Sequence, residues 1–148
     1  MRGQVTSLLA GLLLTVPLPA SAEEPPAKNP DYAHALPDLR TARWLLTPQS
    51  GDPEVRANED EAIQDIDVAM RAVAMGAFDD HKSIEEHEQI EMAQGHIARL
   101  HQALDLLARA HAYLSKEVDD TMGIRVRNRV LENIDRADLA IRHALEPQ

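Results

Sequence analysis

The chain has 148 residues, with 25 acidic and 15 basic side chains, seven His and no Cys. The absence of Cys excludes a disulfide scaffold, a thiolate metal site, an iron–sulfur cluster and a cysteine nucleophile. A formal net charge of −10 argues against nucleic acid as a partner, because the phosphate backbone is bound by basic surfaces. At this length a single domain is expected.

The N-terminal segment has the order of features of a secretory signal peptide. Arg2 gives a positive start, residues 7–16 (SLLAGLLLTV) form an apolar run, and residues 20–22 (ASA) form a small-residue cleavage site. The apolar run is shorter than the roughly 20 residues that a membrane-spanning helix needs. We therefore predict residues 1–22 as a signal peptide cleaved after Ala22, a periplasmic or secreted location, and no membrane span.

The rest of the chain predicts a flexible leader followed by helices. Residues 23–30 (EEPPAKNP) are charged and Pro-rich, which predicts the leader, and residues 31–148 predict one helical domain. Helical periodicity identifies four segments, at 32–46, 58–79, 93–118 and 122–145. Pro37 predicts either a kink in the first helix or its first turn. Asn58 with Glu61 predicts a capping box that starts the second helix.

The third segment carries the strongest pattern, and it decides the predicted fold. Its apolar residues alternate steps of four and three from Ala93 to Val118, with His111 as the polar member, which predicts a buried imidazole. No strand pattern occurs, so we predict an all-α, antiparallel four-helix bundle in which 79–91 is a long polar loop. Short connections favour helices 1–2 and 3–4 as antiparallel neighbours in up-down-up-down order. The alternative is a pair of helical hairpins that completes its core as a dimer.

Four of the seven His residues are followed by an acidic residue four positions later, where the acid content predicts about one such pair. The pairs are His34 with Asp38, His81 with Glu85, His87 with Glu91, and His101 with Asp105. Positions i and i+4 share one face of a helix, so an imidazole and a carboxylate there can together bind zinc, copper or nickel. They can also simply pair with each other on a solvated surface.

The motifs of the common enzyme classes are missing from the sequence. It contains no Gly-rich phosphate loop, no G-x-S-x-G nucleophile motif and no H-E-x-x-H zinc motif. We therefore expect a binding or structural role without catalysis, with a protein partner or a second copy of the chain as the partner. No organic cofactor is predicted. A bundle that binds a divalent metal ion through the four His–acid pairs is the alternative function.

One segment resembles known proteins. Residues 34–44 (HALPDLRTARW) are similar to the opening of a group of short exported bacterial proteins, where the segment has the form H-A-L-x-D-L-R-x-A-R. Residues 62–67 (AIQDID) and 100–111 (LHQALDLLARAH) resemble later parts of the same group. The resemblance implies an all-helical fold and no assigned catalytic residues. Pro37 departs from the group, in which a polar residue is expected.

Overall fold

The computed structural model describes residues 30–76, 80–116 and 121–146. Within these ranges the chain forms four α-helices and no strand: α1 Pro30–Leu46, α2 Pro53–Gly76, α3 His96–Leu114 and α4 Thr121–Leu145. The predicted all-α four-helix bundle is confirmed. The predicted signal peptide and nearly all of the predicted leader lie in residues 1–29, outside the described part of the chain.

Helix α1 runs through Pro37, which is an interior residue and not part of the first turn. The proline ring has no N–H to donate to the carbonyl of Ala33, one turn earlier. One turn later, the Thr41 hydroxyl donates to the Pro37 carbonyl at 2.8 Å. The helix is maintained across this position by the burial of its apolar side chains, including Leu36 and Leu39.

Helix α2 begins at Pro53, earlier than predicted. The Asp52 carboxylate accepts the backbone N–H groups of Glu54 and Val55 at 2.9 and 3.3 Å, which caps the helix. Pro53 then occupies the first helical position, where a missing N–H costs no hydrogen bond. The capping box predicted at residues 58 and 61 is wrong, because both positions lie inside the helix. Asp followed by Pro is itself a helix-start signal.

Helix α3 buries Leu100, Leu107 and Leu114 of the predicted seam, but other seam residues lie outside its core-facing side. Ile97 is 64% exposed and the His111 side chain is 42% exposed, whereas Ala103 and Ala110 are buried. The prediction of a buried His111 is therefore wrong, and its Nε2 instead lies 3.4 Å from Asp135 Oδ1 on α4. The buried face of α3 also includes Leu106, so it is centred to one side of the predicted seam.

Helices α1 and α3 are antiparallel and form one of the two most extensive helix pairs. Near the start of α1, His34 stacks on Tyr113, with 5.2 Å between ring centroids. One turn further along α1, Asp38 lies against Arg109, one turn earlier on α3. Later residues of α1 therefore contact earlier residues of α3, as expected for antiparallel helices.

Helices α2 and α4 form the other extensive pair, and they are antiparallel as well. The Tyr32 hydroxyl donates to the Gly123 carbonyl at 3.4 Å, so α1 and α4 begin at the same end of the bundle. Glu59 Oε1 lies 3.0 Å from His96 Nε2, so α2 and α3 begin together at the other end. The four helices therefore run up, down, down, up. Helices α1 and α2, and helices α3 and α4, are antiparallel neighbours as predicted, whereas the up-down-up-down order that the loop 79–91 would allow is not found.

Residues 80–95, which we name the crossover segment, join the end of α2 to the start of α3 across the length of the bundle. This segment contains no helix or strand. One local turn is closed by the Glu86 N–H, which donates to the Ser83 carbonyl at 3.0 Å, and by the Ser83 N–H, which donates to the Glu86 carboxylate at 3.1 Å. Ile90 and Met92 attach the segment to the apolar core. None of the helices in the described ranges combines the length and apolarity needed to span a bilayer.

Candidate functional site

The polar residues of α1 hold the crossover segment in place. Arg40 is only 5% exposed, and its guanidinium donates two hydrogen bonds to the Asp80 carboxylate at 2.6 and 2.7 Å. This two-point geometry fixes direction as well as distance. The Thr41 hydroxyl accepts the backbone N–H of Glu88 at 3.3 Å. Residues 34–44 therefore include side chains that position another part of the fold.

Two more side chains of α1 complete this attachment. The Trp44 indole stacks on the His87 imidazole, with 4.1 Å between ring centroids and 15° between planes. Arg43 Nε donates to Asp67 of α2 at 2.7 Å, and its Nη1 lies 3.5 Å from Glu85 Oε1. Arg43 therefore links α1 to both α2 and the crossover segment.

The predicted pair of His34 and Asp38 has different partners in the structure. Asp38 is buried and accepts a hydrogen bond from Arg109 Nη2 at 2.5 Å, while His34 stacks on Tyr113. Burial raises the pKa of Asp38 above its usual value, and the Arg109 hydrogen bond only partly opposes this rise. Asp38 therefore acts as a link between α1 and α3.

The pairs predicted at His81 and His87 lie in the crossover segment, where a spacing of four residues has no helical meaning. His87 Nδ1 lies 2.9 Å from the backbone oxygen of Glu88, and Glu85 lies beside Arg43. In the part of the chain that the structure describes, no group of three or more His, Asp or Glu is placed to hold a metal ion. The metal ligand set remains a prediction.

A groove of about 480 Å³ opens between the crossover segment and α3. It is lined by Ile90, Glu91, Gln102, Asp105, Leu106, Ala108 and Arg109. The Gln102 amide fixes the groove wall, since it donates to the Glu91 carbonyl and accepts the Ala93 N–H, both at 3.0 Å. Small-molecule sites have volumes of roughly 300–1,000 Å³. The fold thus brings Glu91 and Asp105, which belong to two different predicted pairs, to one groove.

A second polar cluster, which local sequence patterns do not reveal, lies where α2 and α3 begin. The Glu59 side chain is fully buried, and its Oε2 accepts the Ser50 N–H at 2.8 Å. Its Oε1 lies 3.0 Å from His96 Nε2, although the angles are not those of a hydrogen bond. Arg99 lies next to His96, with 3.5 Å between Arg99 Nη2 and His96 Nδ1. The cluster joins three elements that are distant in sequence.

The described polar groups differ in what they offer a ligand. Arg40, Asp38 and Glu59 are buried and occupied by partners within the fold. The carboxylates of Glu91 and Asp105 lie at the surface of the groove, beside apolar side chains. The groove can therefore bind a molecule that has both an apolar part and a polar group.

Comparison of the chain with protein-family models, with curated proteins and with solved structures finds no match in any of the three. The likeness of residues 34–44 to the exported group remains a prediction. A fold alone does not define a function, which depends on the side chains of the site.

Proposed function

We propose that this protein is an exported helical-bundle module that binds a ligand without converting it, and that the groove beside α3 is its binding site. The observation that carries the proposal is the construction of this groove. Leu106 gives it a buried apolar floor on a helix, and Gln102 holds the opposite wall by two hydrogen bonds. A site whose walls are fixed before binding loses less conformational entropy when its ligand arrives.

The positions of the other polar residues support a role without catalysis. Arg40 and Asp38 are the most deeply buried charged residues of α1, and both are engaged in contacts that hold neighbouring elements. A catalytic acid or base must instead reach its substrate within about 3 Å, directly or through one water. Export is supported by the charge and apolar pattern of residues 1–22.

Binding can be tested by NMR titration of the exported protein with a small-fragment library. We expect the amide shifts caused by bound fragments to cluster at residues 90–91 and 102–109. Ala108→Phe should fill the groove and remove these shifts. Ala112→Phe is the matched control, because Ala112 is an exposed residue of the same helix outside the groove lining. Fragment binding that survives Ala108→Phe, or that maps elsewhere, would contradict the proposal.

The alternative function is the binding of zinc, copper or nickel. It is supported by the convergence of Glu91 and Asp105 on one groove, with His101 one helical turn before Asp105. A metal that binds only the folded chain raises the melting temperature by mass action. His101→Ala should remove that rise, and no shift with any of the three ions would exclude this function. Native mass measurement of the same protein tests the proposed protein partner or homodimer.

A further inference from the structure

We propose that the groove selects an organic cation that carries an aliphatic chain, such as an alkylammonium ion. The inference rests on the proposed function, and it adds the chemical class of the ligand. The charges on the groove walls and the apolar surface between them indicate this class.

Two carboxylates in the groove have no cationic partner in the part of the chain that the structure describes. Glu91 lies on the crossover segment and Asp105 lies on α3, and both are exposed. Among the described residues neither forms an ion pair. They approach the groove from opposite walls, so a cation placed between them interacts favourably with both.

The basic residue of the groove lining does not offset this charge. Arg109 Nη2 donates to Asp38 Oδ1 at 2.5 Å, so its positive charge is compensated by a buried carboxylate. The carboxylate of Glu88 is also close enough to Asp38 to raise the pKa of Asp38 further. The groove and its surroundings therefore carry net negative charge, which attracts cations and repels anionic amphiphiles.

The apolar part of the ligand is indicated by the remaining lining residues. Ile90, Leu106 and Ala108 present aliphatic surface beside the carboxylates. Burial of a hydrocarbon chain there removes apolar surface from water and supplies affinity, while the ammonium group sets orientation and selectivity. An inorganic cation or a polyamine without an apolar segment would use only half of this surface.

Titration calorimetry with three eight-carbon probes below their micelle concentrations tests the proposal: octylammonium, octanoate and octyl glucoside. We expect octylammonium to bind the exported protein most tightly at low ionic strength. Because an exposed ion pair contributes a factor of about two to five in affinity, Glu91→Gln/Asp105→Asn should weaken octylammonium binding roughly three- to tenfold. Added salt should reduce the same preference.

The matched control is Glu132→Gln/Asp138→Asn, which removes the same charge from the exposed side of α4, where both acids pair with Arg residues. We expect this variant to bind octylammonium within twofold of the unchanged protein. An equal loss in both double variants would show that overall charge, not the groove, determines selectivity, and would overturn the proposal.

The failure of this inference is distinguishable from that of the proposed function. Equal or tighter binding of octanoate or octyl glucoside, abolished by Ala108→Phe, would reject the ligand class and leave the groove as a binding site. If no probe and no fragment perturbs residues 90–91 or 102–109, both proposals are wrong.

Discussion

The interface between α2 and α4 and the surface of α1 beneath the crossover segment are built from different interactions. In the first, buried aliphatic side chains of two helices face each other, among them Ile66, Val73, Ile134 and Ile141. In the second, the contacts are directional. They are the Arg40–Asp80 ion pair, the stack of Trp44 on His87, and the hydrogen bond from the Glu88 N–H to the Thr41 hydroxyl. The α2–α4 interface excludes water, whereas the surface of α1 beneath the crossover segment pairs hydrogen-bond donors with acceptors.

This difference separates the interactions that stabilise the bundle from those that determine the path of the crossover segment. Apolar burial is not directional, and it supplies most of the free energy of folding. A salt bridge or a hydrogen bond adds little net stability, because water satisfies the same groups in the unfolded chain. Directional contacts nevertheless specify one path for residues that have no helix or strand. Substitutions in the two regions should therefore change the free energy of unfolding by different amounts.

The largest effect is expected in the aliphatic interface. Ile134→Ala should lower the free energy of unfolding by about 3 kcal/mol, because it removes buried methyl groups and leaves a cavity. Leu139→Ala is the control on the same helix, since Leu139 is 53% exposed and should cost well under 1 kcal/mol. Urea unfolding followed by circular dichroism measures both. Equal losses would show that α4 packs by another face.

A smaller effect is expected at the buried carboxylate. His96→Ala removes the imidazole that lies beside Glu59, whose side chain is fully buried, and should cost about 2 kcal/mol. His101→Ala is the control, because His101 is an exposed residue of the same helix. The same urea experiment serves here. If both variants unfold at the same urea concentration, the Glu59–His96 contact has no energetic role.

The crossover segment should respond to acid through Asp80. The Arg40 hydrogen bond lowers the pKa of Asp80 below its usual value of 3.8. A lowered carboxyl pKa contributes stability above pH 3.8, and this contribution is lost as the pH falls through the folded value. Protection of the amides of residues 80–95 from exchange, relative to their intrinsic rates, should therefore fall below pH 3.8 more in the unchanged protein than in Asp80→Asn, in which it should already be low.

Asp38 should show the opposite sign, because burial raises its pKa. Its contribution to stability is present below pH 3.8 and is lost as the pH rises through the folded value. The stability of the unchanged protein relative to Asp38→Asn should accordingly fall as the pH rises above 3.8. A parallel pH profile for Asp38→Asn and Asp80→Asn would contradict both assignments.

The smallest effect is expected at the surface of α4. Glu132→Gln removes the carboxylate that pairs with Arg136. The Arg136 Nη2 and Glu132 Oε1 atoms are 2.9 Å apart, and both side chains are more than half exposed. Pairs of this kind contribute about 0.3–0.5 kcal/mol, and salt screens them. The loss should be measurable at low ionic strength and vanish in 1 M NaCl. A larger loss that persists in salt would indicate a packing role.

The helical class and much of the core could be predicted because they depend on spacing along one helix. In α4, Val130, Ile134, Ala137 and Ile141 follow one another at steps of four and three, which places them on one face of a helix, and all four are buried. The start of α2 could also have been found, since Asp52 before Pro53 is a local capping signal. Helix direction and pairing depend on contacts between distant residues, which spacing does not encode.

The site was less predictable for the same reason. Spacing grouped His34 with Asp38, but a guanidinium from α3 provides the stronger partner for that carboxylate. Glu59 and His96 meet only because α2 and α3 begin at the same end of the bundle. The groove also requires the path of the crossover segment. Each of these arrangements joins residues that are far apart in the chain, so no local sequence pattern indicates the contact.

The order of the helices also sets when the molecule can fold. Its two most extensive interfaces join α1 to α3 and α2 to α4, so neither forms between consecutive helices. The mean sequence separation of contacts is therefore high for a helical protein, which slows folding. During synthesis, α1 has to wait until residue 114 is made before its main partner helix is complete. Until then its apolar face lacks the helix that forms most of its packing contacts.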